Sequence, residues 1–387
     1  MEIAHHRIGR REYFSILAVA PLGYLVFYGL PYQVASLISR FGLSEAVAGW
    51  IPSAELLMVA LVAVIAGRSI ETRDKRRLAM VGACVAAIGA VIAIVSDNLA
   101  IYVSAELTIG AGLGAVTAAG NALPALFSEP EKTYARIAMS MALMFAVLMY
   151  CVPEASNFFG PKGYEVVELA IIVILGSFTF GVPRAQLPRQ SRGGRLRSNR
   201  MPRSVVYVLF ATFGLYVSQA ISWMFSELAA QVDHLSAGDM TTTFTVLALC
   251  QIPAAAIATR LGMRAGYRVP ITIGMLLFIA GVLGVYEIAS SWTYIPSIIV
   301  ASAVGTFLFP YFQGLLAELD ETGRSAVVGG AVINLGAAAG PAIGSLVYAQ
   351  GGLLFIGFAA AGIFVISLGL VLSALRIWKN AQRLAIA

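Results

Sequence analysis

Charge is scarce in this chain. Only 12% of its 387 residues are charged and 59% are hydrophobic, against about 25% charged in a typical soluble domain. A water-soluble fold has no way to hide that much apolar surface. Cysteine and histidine are sparse too. Cys84, Cys151 and Cys250 all lie in apolar runs, and His5, His6 and His234 have no metal-ligand spacing, so neither a disulfide framework nor a zinc site is indicated. There is no Gly-x-x-x-x-Gly-Lys-Ser/Thr run to cradle a nucleotide, and no cluster of His, Asp or Glu at interfacial depth to work on lipid. The expectation is a protein that is not an enzyme and carries no cofactor.

What the chain does have is long apolar blocks separated by short polar turns. Several exceed the roughly 18 uncharged residues that mark a membrane-spanning helix, a length strands do not reach. The reading places spans at Tyr13–Leu37, Ala46–Ala66, Leu78–Val95, Leu99–Leu126, Ile137–Val152 and Val166–Val182, then at Val205–Leu228, Met240–Thr259, Val269–Ile288, Tyr294–Leu316, Ala326–Ala349 and Gly352–Ile377. The first block follows a basic start, but it is long, aromatic and lacks a small-residue cleavage site, so it reads as a retained span. The fold class expected is an all-α integral membrane protein of twelve helices.

Residues 184–203 form the one long polar segment. It carries Arg184, Arg189, Arg192, Arg195, Arg197, Arg200 and Arg203 with no acidic residue, and reads as a flexible basic linker between a bundle at 1–183 and a second at 204–387. A nucleic-acid patch is the weaker reading, because basic loops gather on the cytoplasmic side of membrane proteins in any case. With both termini placed inside, all of the 26 basic residues except Arg40 and Lys162 fall on that side. A missed helix would reverse everything after it, so the charge bias supports the count as well as the orientation, in a bacterial-type cytoplasmic membrane.

The two halves echo each other. Leu43-Ser44 ahead of the second span matches Leu235-Ser236 ahead of the eighth, and at the same offset Arg68 and Arg76 match Arg260 and Arg268. Two parallel six-helix repeats joined by a basic loop resemble the major facilitator superfamily, whose substrate site lies between the halves near the midplane. The resemblance spans the whole chain as architecture, while its local motifs are degenerate. In the loop after the second helix, Gly67 is followed by Glu71 at the family's acid position and by Lys75 and Arg76 at its basic pair, with Asp74 in place of a glycine. The matching loop of the second half keeps Arg264, Gly266 and Arg268, with Met263 where the acid would stand. The resemblance implies a cytoplasmic gate at Gly67, Glu71, Lys75, Arg76, Arg264 and Arg268; ordinary topogenic charge explains any one of them equally well. Gly336, Gly340, Pro341 and Gly344 on the eleventh span form a motif that resembles one on the fifth span of drug/proton antiporters, and read as close helix packing or a hinge. Gly110, Gly112 and Gly114 imitate a dinucleotide fingerprint but lie inside an apolar helix.

Charges inside spans are costly and therefore informative. Glu55 stands roughly 15 Å along its helix, near the midplane, and Glu106 takes the place of an arginine that many family members carry on the fourth helix. A carboxylate in a low-dielectric setting that alternately meets water on two sides can carry a proton, so Glu55, then Glu106, are the candidate proton or cation sites; a polar contact between helices is the competing reading. No Lys, Arg or His is expected deep in a span, which points to a neutral, zwitterionic or cationic solute over an anionic one. On the helices that line the cavity in the resembling family stand Tyr24, Tyr28, Tyr32, Asn121, Tyr216, Gln219, Trp223, Phe309 and Gln313, an aromatic and amide set suited to an aromatic or amphipathic molecule. Gln251 and Asn334 read as interhelical hydrogen bonds. The resemblance implies a monomeric secondary transporter working by alternating access, with protons, a small solute and the lipid bilayer as its partners and with export by proton antiport ahead of uptake. A non-transporting receptor on the same fold is the reading from another class.

Overall fold

In lipid, every backbone N–H and C=O must find its partner inside the segment or in a closed barrel, and runs this rich in Ala, Leu, Ile and Val meet that demand as helices. The computed structural model describes residues 9–67, 70, 74–124, 127, 130–184, 201–233, 235, 237–262, 264–287, 291–320 and 324–386, and helix is the only regular structure among them. Ten apolar stretches are long enough to cross a membrane, but two of them, Lys132–Gly181 and Val328–Asn380, run for 50 and 53 residues. At 1.5 Å per residue each would be more than twice as long as a ~30 Å hydrocarbon core is thick. Each is therefore a pair of crossings, giving twelve.

The helices are α1 (Arg10–Phe41), α2 (Trp50–Gly67), α3 (Lys75–Val95), α4 (Leu99–Ala122), α5 (Pro130–Phe159), α6 (Gly163–Ser177), α7 (Arg203–Met224), α8 (Ala237–Leu261), α9 (Arg268–Tyr286) and α10 (Ser291–Leu319). The last helical stretch, Arg324–Ile386, breaks at Gly351 and at Gly352, whose φ of 65° lies in the left-handed region; α11 covers 324–350 and α12 covers 353–386. Contacts with α7 show the reversal. Along α11, Gly336 meets Phe213 and Gly344 meets Phe225, so residue numbers rise together. Along α12 they run oppositely, since Ser218 Oγ donates to Ala360 O (2.7 Å) while Gly214 meets Ser367. The shorter reversal between α5 and α6 is a 3₁₀ turn at Gly160–Lys162, with Gly160 at φ 59°.

The expected spans match these helices in number and place, although α1 and α5 extend several residues beyond the hydrophobic windows at both ends. Those extra turns are amphipathic, so hydropathy alone ends too early. Asp74 caps α3 by accepting from the Arg76 and Arg77 amides, and Asn98 caps α4 through the amides of Ala100 and Ile101. The outward faces carry large apolar side chains such as Ile65, Val81, Ile88, Ile174, Phe210 and Ile366, all more than half exposed, as a lipid-facing surface requires.

Twelve crossings bring the start of α1 and the end of α12 to one face. On that face lie the exposed Arg10, Arg77, Arg136, Arg260, Arg264, Arg268 and Arg376, and it is called the basic face below. The first six helices and the last six form the two halves. Toward the basic face, the seam between them is closed by small residues. Ala63 and Ala66 on α2, Ile70 just beyond it, Ala118 and Ala122 on α4, and Ala331 on α11 form a buried cluster, and Gly330 lies against the Asn121 amide with no space for a Cβ.

Candidate functional site

The densest polar cluster lies inside the first half. Gln33 on α1 directs its Nε2 to Glu55 Oε2 of α2 and to Glu106 Oε2 of α4, both at 2.7 Å. All three side chains are fully buried. One amide thus gives one hydrogen to each of two carboxyl groups, and the two groups are within hydrogen-bonding reach of each other. The helices come this close because of glycine: a Cβ on Gly110, one turn beyond Glu106, would sit 2.6 Å from the Glu55 carbonyl oxygen, and one on Gly114 equally close to that of Val59. Gly112 faces the other way, onto Gly82 and Ala86 of α3. The glycine run is therefore a packing surface.

Two further carboxylates join the cluster from the start of α6. Glu165 pairs with Arg40 at 3.0 Å, and it also accepts from Ser36 Oγ (2.6 Å) and Tyr102 OH (3.0 Å). Its place in the first helical turn lets the helix dipole favour its charge. Arg40 spends its remaining donors on Ala93 O (3.1 Å) and Ser96 O (2.7 Å). Glu168, fully buried, meets only Tyr164 OH among the described residues, at 3.2 Å. Arg40, expected on the face opposite the other basic residues, has a side chain only 5% exposed, because three oxygens, Glu165 Oε1 at the start of α6 and the carbonyls of Ala93 and Ser96 at the end of α3, converge on it. Neither Glu165 nor Glu168 was singled out from the sequence, nor was Gln33. Glu168 lies inside an expected span, and that intramembrane charge was the available signal.

A second feature lies between the halves. A cavity of about 70 Å³ is lined by Tyr24, Tyr28, Phe145, Tyr216, Gln219, Ser222, Trp223, Gln251, Thr306 and Phe309, with smaller neighbours. Tyr24 and Phe309 meet edge to face on one side (5.7 Å), and Phe145, Trp223 and Phe244 make a chain of edge contacts (5.6 and 5.4 Å) on the other. Gln251 is held by α10, donating to Ser302 Oγ and accepting from Thr306 Oγ1, both at 2.7 Å. Ser222 Oγ and Trp223 Nε1 have no partner among the described residues, so their hydrogen-bonding capacity is open to a guest. The wall carries no charged side chain. Small-molecule pockets usually measure roughly 300–1,000 Å³, so this cavity is closed down.

Of the expected cavity residues, Tyr24, Tyr28, Tyr216, Gln219, Trp223 and Phe309 line it and three do not. Tyr32 donates to Met149 O at 3.3 Å, Asn121 accepts from Tyr24 OH at 3.2 Å, and Gln313 is buried against Gly329. Tyr24 ends the 3₁₀ turn Ala20–Tyr24 in α1, irregular backbone of the kind membrane helices tolerate where it lines a cavity. Asn334 donates within its own helix, to Gly330 O at 3.3 Å, so its expected interhelical bond is replaced by a local one.

Among the gate candidates, Glu71 lies outside the described residues, as does Met263. Gly67 ends α2, Lys75 is fully buried at the start of α3, Arg76 is half-buried, and Arg264 and Arg268 are exposed. Gly336 and Gly340 pack so closely on α7 that a Cβ would sit 2.7 Å from Phe213 O and 3.0 Å from Val217 O; one on Gly344 would meet Phe225 at 2.8 Å. Pro341 is buried within the same helix. The motif residues thus form a close helix contact.

No family model and no curated protein sequence matches the chain. Solved structures do. The human organic anion transporter MFSD10 (TETRAN) superposes with a TM-score of 0.76 at 17% identity, over 94% of this chain and 99% of that one. The proton:xylose symporter XylE gives 0.74 at 18% identity over 95% of each chain, and the Escherichia coli fucose:proton symporter FucP gives 0.69 at 15% over 94% and 99%. The chain is built on the major facilitator fold: twelve transmembrane helices in two pseudo-symmetric halves.

Proposed function

We propose that the protein is a secondary transporter that moves a small organic solute by alternating access, with protons carried by the Glu55 and Glu106 pair. The observation that carries this reading is the Gln33 amide shared between two buried carboxyl groups of separate helices. Two ionised carboxylates so placed would repel strongly in a low-dielectric interior, so the arrangement holds a proton, and losing it breaks the balance that keeps α1, α2 and α4 together. The central cavity supplies the solute site. Its rings and neutral amides suit a neutral, zwitterionic or cationic molecule with an aromatic or amphipathic face. An organic anion, the cargo named for MFSD10, is disfavoured because no cation lines the wall.

The basic face is the cytoplasmic one in this reading, which puts both ends of the chain inside. Gly67, Glu71, Lys75, Arg76, Arg264 and Arg268 belong to the loops that would open and close it. Export by antiport is the narrower proposal. Uptake by symport is the second, favoured by the two proton symporters among the similar structures.

The test is reconstitution in liposomes loaded with a pH-sensitive dye, with cationic, zwitterionic, neutral and anionic solutes added in turn. Solute-dependent proton movement is expected with the first three classes. Glu55→Gln should abolish it while the protein still elutes as a folded species. Unchanged proton-driven flux in that variant would remove Glu55 from the mechanism, and absence of flux in folded wild-type protein across a broad panel would favour a receptor.

A further inference from the structure

Among its described residues, the first half buries four carboxyl groups, Glu55, Glu106, Glu165 and Glu168, and one arginine near them. Arg40 is engaged by other groups. One nitrogen holds Glu165 and the other holds two backbone carbonyls that end α3. That leaves three carboxyl groups without a cation. A proton shared between Glu55 and Glu106 accounts for one negative charge of that pair, and the Gln33 hydrogens steady the other. Glu168 receives nothing from either. The ionisable groups acting on it are Tyr164 and Glu165 on its own helix, Glu55 on α2, and Tyr102 and Glu106 on α4, and none of these is positive. An ionised Glu168 would add a second uncompensated negative charge to the same dry space, which burial disfavours.

The one partner Glu168 has suits a group that changes protonation. A tyrosine hydroxyl can donate to a carboxylate or accept from a carboxylic acid, so Tyr164 holds Glu168 in either state through the same 3.2 Å contact. Tyr164 is itself fixed. Its ring and hydroxyl lie against Gly29 of α1, where a Cβ would stand 2.6 Å from the hydroxyl oxygen. The next residue back, Tyr28, lines the solute cavity. Glu168 is thus connected to the cavity wall through Tyr164 and α1, and the Glu55–Glu106 pair is connected through Gln33 of the same helix.

We propose that Glu168, held by Tyr164, is a second proton-carrying site of this protein, separate from the Glu55–Glu106 pair. It rests on the proton-coupled reading above and extends it from one exchangeable proton to two.

The experiment reads protonation directly and needs no solute. Infrared spectra of the purified protein in lipid nanodiscs, in sodium-free buffer, should contain a carboxylic-acid C=O band that Glu168→Gln diminishes. Glu55→Gln should remove a different part of it, and the double variant both parts. An acid pulse started from an alkaline pH at which that band is absent, read with a pH dye, should show uptake falling by about one proton per molecule in Glu168→Gln. Tyr164→Phe, which keeps the ring, should shift the frequency of the Glu168 component and leave the other in place. A band unchanged by Glu168→Gln, or for a misfolded variant unchanged by Tyr164→Phe, overturns the proposal. So does a Glu168 component that vanishes on adding sodium chloride but not choline chloride, since a metal ion would then be the counter-charge. Proton-coupled flux without the Glu168 band sinks this inference alone, whereas the band without any flux sinks only the transport reading.

Discussion

At the scale of single residues, the cluster separates one anchored carboxylate, Glu165, from the carboxyls proposed to exchange protons. Glu165 has a guanidinium, two hydroxyls and a helix N-terminus, and it acts as a structural anion. Replacing Arg40 by Met should therefore destabilise the folded protein by about 3–5 kcal/mol, because it leaves Glu165 charged and buried. The double variant Arg40→Met with Glu165→Met should recover most of that loss; thermal melting in detergent would decide, and equal melting of the single and double variants would refute the anchoring role. A solvated pair at the same end of the molecule behaves differently. Lys162 Nζ lies 2.9 Å from Asp97 Oδ1, and this contact holds the exposed Asp97 carboxyl below its ordinary 3.8. Any stability it contributes is present above that ordinary value and disappears as pH falls through the lowered one. Lys162→Gln should return the Asp97 midpoint toward 3.8, as carbon-13 carboxyl shifts would report, and should leave melting unchanged at neutral pH because the pair is screened by solvent.

Glycine spacing is what brings the site together at the scale of helices. Gly110 places α4 against the backbone of α2 at Glu55, and an added methyl has nowhere to go. Gly110→Ala should cost about 1–3 kcal/mol through overpacking and should reduce proton-linked flux, since Glu55 and Glu106 move apart. Gly362 and Gly369 of α12 provide the control, because nothing lies within 4 Å of a Cβ at either. Alanine there should be neutral, or stabilising by up to about 1 kcal/mol from helix propensity. A Gly110→Ala variant that melts and transports like these controls would contradict the packing account. Helices were also what the sequence displayed most openly, since a long uncharged run admits few alternatives. Their ends were less legible: α5 begins before Ile137 and continues past Val152 in turns whose polar faces interrupt the apolar run. The charges at such ends were the hardest to read. Arg40 looks like a loop cation until the carbonyls of α3 and the carboxylate of α6 are seen around it, and no pattern along one helix reveals a partner supplied by another.

For the whole molecule, the placement of basic residues makes a prediction independent of any solute. Single cysteines at residues 264 and 376 should react with an impermeant thiol reagent only from the cytoplasmic side, and one at residue 97 only from outside, in a background with Cys84, Cys151 and Cys250 replaced. Reversed labelling would invert the proposed orientation, and labelling of 264 and 97 from the same side would break the twelve-crossing topology. The paired architecture was legible from the echo between halves and the basic linker. The cavity was legible only in part: the rings of α1, α7 and α10 were visible as candidates, while Gln251, Ser222 and Thr306 join the wall through rotations that spacing does not disclose. Asn121 and Gln313 were displaced from it by the tightness of the seam.

That tightness offers a practical handle. Gly330 of α11 meets the Asn121 amide where the halves close toward the basic face, with no volume to spare. A bulky side chain at residue 330 would act as a doorstop, holding this end ajar and, in the proposed alternating-access cycle, trapping the molecule in one half of it. A population frozen in that way would present a single shape to a conformation-selective antibody fragment, and differential capture of the Gly330→Trp and wild-type proteins would turn a glycine contact into a tool for isolating a state that is otherwise transient.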